Sequence, residues 1–254
     1  ATALYSLCIF RNFQYWPTKD GQVWTASPYS PVVAFAISLT SLEGSGGSSI
    51  LDAAEVLLVS IRRACQTSVY NCEAIAFVLP SIPRQGRFFL SDIGWRLEEK
   101  DLPIQVEDIE AEFLRGHINK TGCCGASELI KLHAYTLTEY HRVVHLDVDT
   151  MVTSNIDELI DMNASLVYTT DPAMNTRKSR APPVQGGFLL TKPDLSVYEE
   201  LVAIVRKGNW KLQTGWEGSN IGYFWGGATI QGLLAYYYTD VAEAAASIEV
   251  DRCV

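Results

Sequence analysis

An α/β fold, with a mostly parallel central sheet flanked by helices, is predicted by three features of the sequence. From Val32 onward, short apolar runs alternate with helical stretches, the pattern of a sheet covered on both faces. One of those runs, Val143-Val144-His145-Leu146, empties directly into Asp147-Val148-Asp149. Of the 254 residues, 48% are hydrophobic, enough to fill the core of one such domain.

The elements follow in order. Residues 1–30 are rich in aromatics with polar interruptions and read as an irregular N-terminal extension, leaving 31–254 as the domain. Val32 to Leu39 has the composition of a buried strand and leads into the loop Gly44-Ser45-Gly46-Gly47-Ser48-Ser49. Leu51 to Ala64 is then helical, with Leu51, Ala54, Leu58 and Ile61 on one face. Ala74 to Leu79 is a second strand, closed by Pro80. Arg84 to Gly116 is poorly periodic, with a helix expected near Trp95 to Lys100 and a further short strand. Ser127 to Tyr140 reads as a helix feeding the strand that ends at Asp147. Beyond it come a helical turn at Ile156–Ile160 and a strand at 164–169. A turn at Gln185-Gly186-Gly187 is expected before a strand at Phe188-Leu189-Leu190. Asp194 is placed to cap a helix over Leu195–Lys207, whose last turn is basic and which Gly208 follows. Ala228 to Tyr238 is the last helix.

The chemistry concentrates at the two aspartates. In extended backbone, residues i and i+2 share a side, so Asp147 and Asp149 converge while Val148 turns into the core. Paired carboxylates suit a hard divalent cation that also carries a diphosphate. Two solvated loop aspartates are the competing reading, since a chain of this length carries about one Asp-x-Asp by chance. A calcium loop starting at Asp147 is excluded: Met151 and Val152 stand where an oxygen ligand and a glycine are needed.

Composition narrows the partners. A net charge of −9 argues against nucleic acid. No apolar run approaches the length of a membrane span, so no membrane segment is expected within this chain. The six cysteines include no Cys-x-x-Cys pair, which leaves buried thiols and one or two disulfides both open. Sequons at Asn119 and Asn163 tilt the expected compartment towards the secretory pathway, the Golgi lumen, rather than the cytoplasm. The chain opens on Ala1 and stops at Val254, and a fragment or processed form is expected.

The runs Glu128–Tyr140, Val143–Thr150 and Asn155–Leu159 resemble glycosyltransferase family 8, the glycogenin-like group, most specifically over 120–160. The likeness continues more loosely through Gly186–Pro193 and Gln231–Leu234, and upstream through Leu39-Thr40-Ser41. The resemblance implies a GT-A fold and a retaining hexosyltransferase. Its donor would be a nucleotide sugar, UDP-linked, and its acceptor a hydroxyl on a carbohydrate or glycoprotein. Carried over by position, Asp147 and Asp149 would hold manganese or magnesium on the donor diphosphate, with Val148 near the ribose. Lys131 would approach the donor phosphates and sugar, and Thr40 the uracil. Gln185, Gly186 and Gly187 would lie against the sugar, and Gln231 matches a family glutamine. Lys131 and Gln231 are therefore the catalytic candidates. Trp216 and Trp225 fit a sugar-stacking role and a core role equally.

Three departures accompany the resemblance. Ile230 stands where the family has an aspartate, the turn against the sugar is altered, and the late His-x-x-Gly-x-x-Lys segment is missing. All four histidines, His117, His133, His141 and His145, precede Thr150, so a third metal ligand is expected beyond residue 254. Two rivals stay open. One is a catalytically inactive relative that binds nucleotide sugar or carbohydrate. The other is an NAD(P)-dependent oxidoreductase using the loop at Gly44–Ser49. That loop has Ser49 for its third glycine, and no acidic residue ends the strand at Leu79.

Overall fold

The computed structural model describes residues 27, 29–42, 47–121, 125–170, 179–242 and 246–251. Most of the expected N-terminal extension, Gly44 to Gly46 of the glycine-rich loop, and Cys123-Cys124 lie outside these residues.

Strand β1 (Val32–Leu39) alternates large and small side chains along its length. Val33, Phe35, Ile37 and Leu39 point to one face and pack on Ala54, Leu57, Leu58 and Ile61 of helix α1 (Gly47–Cys65). Ala34 and Ala36 point to the other face, against Ile130 and Ala134. Strand β2 (Asn71–Val78) runs parallel to β1, with Phe35 opposite Ala74 and Leu39 opposite Val78. A disulfide between Cys65 and Cys72 ties the end of α1 to the start of β2.

Next come helix α2 (Arg84–Ile93) and strand β3 (Arg96–Glu99). The expected helix near Trp95–Lys100 is thus corrected: the helix lies earlier and those residues form an edge strand parallel to β2. Gly94 ends α2 at φ 112°, a conformation glycine tolerates. Trp95, 2% exposed, then plugs the core and donates its indole N–H to the Ala54 carbonyl. Helix α3 (Glu112–His117) follows.

The segment Gly125–Thr136 is wound as a 3-10 helix rather than the α-helix expected over 127–140. Its buried stripe has a period of three, Ala126, Leu129, Leu132 and Tyr135, which matches three residues per turn. Strand β4 (Arg142–Leu146) lies beside β1, again parallel. After helix α4 (Asp157–Ile160) and strand β5 (Leu166–Thr170) comes strand β6 (Val184–Thr191), antiparallel to both β4 and β5.

Helix α5 (Leu195–Lys207) has the expected limits. Asp194 accepts from the Ser196 N–H at its start, and Gly208 closes it at φ 67°. A two-stranded ribbon, β7 (Trp210–Lys211) with β8 (Gly215–Trp216), precedes helix α6 (Ile230–Tyr236). A π-helical turn follows at 237–241, and β9 (Ser247–Glu249) pairs with β5. The central sheet therefore runs β3-β2-β1-β4-β6-β5-β9, with β6 as the sole antiparallel member among its described strands. No described helix is long and apolar enough to cross a membrane.

Candidate active site

β4 ends at Leu146, and Asp147 extends its ladder by one bond, donating its N–H to the Gly187 carbonyl of β6 at 3.1 Å. The chain then turns at once. Thr150 donates both its N–H (3.1 Å) and its hydroxyl (2.6 Å) to the Asp147 carbonyl. This corrects one step of the sequence argument: Asp147 and Asp149 are set by a tight turn, not by extended backbone. The two carboxylates remain close enough for Asp149 to act electrostatically on Asp147. Val148 between them packs into the core on the α1 side.

Lys131 reaches this point from the 3-10 segment. Its ammonium donates to Asp147 Oδ1 at 2.8 Å and to the Gly186 carbonyl at 3.1 Å, and lies 2.7 Å from Glu128 Oε2. An ammonium has three donors, and here all three are engaged. The side chains grade outward: Lys131 is 6% exposed, Glu128 13% and Asp147 42%. Burial alone would pull the lysine pKa down, but Asp147 and Glu128 outweigh it, so Lys131 stays charged above the ordinary lysine range. Burial pushes the Asp147 carboxyl up, Lys131 pulls it down, and Glu128 and Asp149 push it up again; the net direction is upward.

Gly186 and Gly187 form part of β6 rather than the expected turn. An added side chain would sit in ordinary contact at Gly186 and would press on Asp147 at Gly187. A methyl group on Gly186 would meet Gln231 Cγ at 3.4 Å, Lys131 Nζ at 3.5 Å and Ile230 Cγ2 at 3.6 Å. One on Gly187 would meet Asp147 Oδ2 at 3.2 Å. Gln185 turns back on its own strand, accepting from the Gly187 N–H at 2.7 Å. Thus Lys131, Asp147, Gly186, Gly187, Gln185 and Gln231 come together, with Asp149 on the adjoining turn. Thr40 follows β1, half-buried, and no described contact joins it to this group. Trp216 is fully buried and donates to the Gly227 carbonyl, so it belongs to the core, whereas Trp225 is 61% exposed.

Three participants escaped the sequence reading. The spacing of Glu128 from Lys131, i to i+3, was a readable signal for their ion pair. His145 and Ser38 carry no such mark. His145 is completely buried on β4, its Nε2 2.7 Å from Ser38 Oγ, and its Nδ1 meets no hydrogen-bonding atom among the described residues. Burial, then the charge of Lys131, push its pKa well down, so the ring is neutral.

No group of three His, Cys, Asp or Glu side chains is placed to hold a metal ion among the described residues. On the two aspartates, the oxygens not engaged by Lys131 are Asp147 Oδ2 and the exposed Asp149 carboxylate. Two hard oxygens at a rim suit a divalent cation that draws its other ligands from a diphosphate and water.

No protein-family profile matches the chain. Over 135 residues, 49% of the chain and 26% of the relative, it is 31% identical to Glycogenin-2 of Homo sapiens. Over 146 residues, 56% of the chain and 41% of the relative, it is 25% identical to Galactinol synthase 2 of Arabidopsis thaliana. The matches therefore span less than half of either curated relative. Among solved structures, the apo form of mouse xyloside xylosyltransferase 1 aligns over 87% of this chain and 85% of that one. The TM-score is 0.53 at 14% identity, a likeness of fold.

Proposed function

We propose that the chain is a glycogenin-like relative in glycosyltransferase family 8 with a GT-A fold, and that it is a retaining hexosyltransferase. The donor is a nucleotide sugar, UDP-linked, and the acceptor a hydroxyl on a carbohydrate or glycoprotein. The observation that carries this reading is the buried Lys131 ammonium, held between Asp147 and the Gly186 carbonyl at the rim of the sheet beside Gln231.

Asp147 and Asp149 would hold the divalent cation, manganese or magnesium, which supplies charge stabilisation for the departing diphosphate. Lys131 offers a preorganised, buried positive charge to the same developing negative charge. Gly186 and Gly187 let backbone approach the sugar closely, and Gln231 presents an amide to its hydroxyls. Thr40 and Val148 would border the uridine. We also place the protein in the oxidising secretory pathway, which the Cys65–Cys72 disulfide supports.

The test is release of UDP from a panel of UDP-hexoses with simple sugar acceptors, with manganese or magnesium and after chelation. Cation-dependent UDP release is expected, and proton NMR of the product reads the anomeric configuration. Absence of any UDP-sugar binding by calorimetry, with or without cation, would sink the proposal. Binding without turnover would favour the second reading, an inactive sugar-nucleotide-binding relative. Ile230 favours it too, since it sets an apolar side chain against Gly186.

A further inference from the structure

Lys131 has no spare donor. Its three protons are taken by Asp147, Glu128 and the Gly186 carbonyl, at 2.8, 2.7 and 3.1 Å. For Lys131 to reach a donor phosphate, one of the three must let go. Gly186 lies in β6 next to Gly187, whose carbonyl holds the Asp147 N–H, so the Gly186 carbonyl moves only with its strand. Glu128 sits one 3-10 turn before Lys131, directly in line with it, and is 13% exposed. Asp147 is the outermost, 42% exposed, and it is also the carboxylate with a competing claim on a divalent cation.

We propose that Glu128 is a positioning residue for Lys131, the carboxylate that keeps the ammonium in the cleft once Asp147 is taken up by a divalent cation. In the form described here, the Lys131 ammonium stands in for that cation on Asp147. When the cation arrives, Asp147 exchanges one positive partner for another. Lys131 then keeps Glu128 and the Gly186 carbonyl and gains a free proton for the diphosphate. Without a charge at position 128, the ammonium would cling to Asp147 and compete with the incoming cation. This inference rests on the function proposed above.

Calorimetric titration with manganese alone, then with UDP in the presence of manganese, tests it on the intact chain and on Glu128→Gln, Lys131→Met and the double variant. Thermal unfolding checks that each is folded. Glu128→Gln is expected to weaken manganese binding about tenfold, the scale of a coupling between contacting charges. In the Lys131→Met background the same change should have no effect on manganese, because the competing ammonium is gone. That non-additivity separates positioning from a merely structural role. Glu128→Asp, which retains the charge, should recover most of the binding, and it serves as the second variant should Glu128→Gln not fold. Equal manganese affinity in the parent and Glu128→Gln would overturn the inference while leaving the proposed function standing. Failure of the parent chain to bind manganese or UDP would overturn both.

Discussion

The two faces of the sheet are filled by opposite rules. Under α1, β1 presents Val33, Phe35, Ile37 and Leu39, and the interface is large side chain against large side chain. Under the 3-10 segment, the same strand presents Ala34, Ala36 and Ser38, so the helix can come close. That closeness lets Lys131 span from its helix to Asp147 on one strand and Gly186 on the next. The first face stores stability in volume, while the second gives up volume to hold a buried ammonium and a buried neutral imidazole.

Substitutions on each face should separate these roles. Phe35→Ala, on the tightly filled side, is expected to cost about 3–5 kcal/mol in urea unfolding. UDP binding by the remaining folded protein should be unchanged; a large loss of binding would mean the faces are not independent. Lys131→Met should reduce UDP release by about 10²–10³-fold. A variant with full turnover would remove Lys131 from the chemistry. Ala36→Leu adds bulk where the 3-10 segment approaches, with an expected stability loss of about 1–3 kcal/mol. Unlike Phe35→Ala, it should also weaken UDP binding, since the helix carrying Lys131 must shift.

The smallest effect concerns pH. His145 is held neutral in the folded state by burial, with its pKa depressed, whereas in the unfolded chain it titrates near 6.5. Below that pH the unfolded state binds a proton the folded state does not, so stability falls on acidification from about pH 6.5, by at most about 1.4 kcal/mol per pH unit. Urea midpoints at pH 7.5 and 5.5 should therefore differ less in His145→Gln than in the parent. His133 and His141 are displaced in the same direction and contribute the remaining slope. Identical slopes in the two proteins would show that His145 protonates freely when folded.

Where local chemistry decides the structure, the residues declared it. β1 was legible from an unbroken apolar run, and α5 from Asp194 and Gly208, each performing the capping its residue type suggests. α2 was hidden because Arg84-Gln85-Gly86-Arg87 reads as polar loop. In the fold, Gly86 leaves room for Leu42, whose Cδ1 would lie 2.3 Å from an added methyl group. The turn at Asp147–Thr150 and the strand placement of Gly186-Gly187 depend on the antiparallel pairing of β6 with β4, a long-range fact that no local pattern carries. Asp147 stood out as half of an Asp-x-Asp pair at the end of an apolar strand, whereas Lys131 and Gln231 were reached through the family resemblance; the fold brings the three together. Glu128 was overlooked because a helical carboxylate reads as solvated surface, although its i to i+3 spacing from Lys131 was there to read.

That winding sets a length as well as an angle. Twelve residues at the 3-10 rise extend about 24 Å, against about 18 Å for the same stretch as an α-helix. Residues three apart, eclipsed now, would diverge by about 60° after rewinding. Relaxing to the commoner helix would therefore pull the two ends inward and rotate Glu128 off the axis of Lys131. On the proposed function, the ammonium that meets the donor diphosphate is carried on this segment, so any partner that rewound it would draw Lys131 away from Asp147.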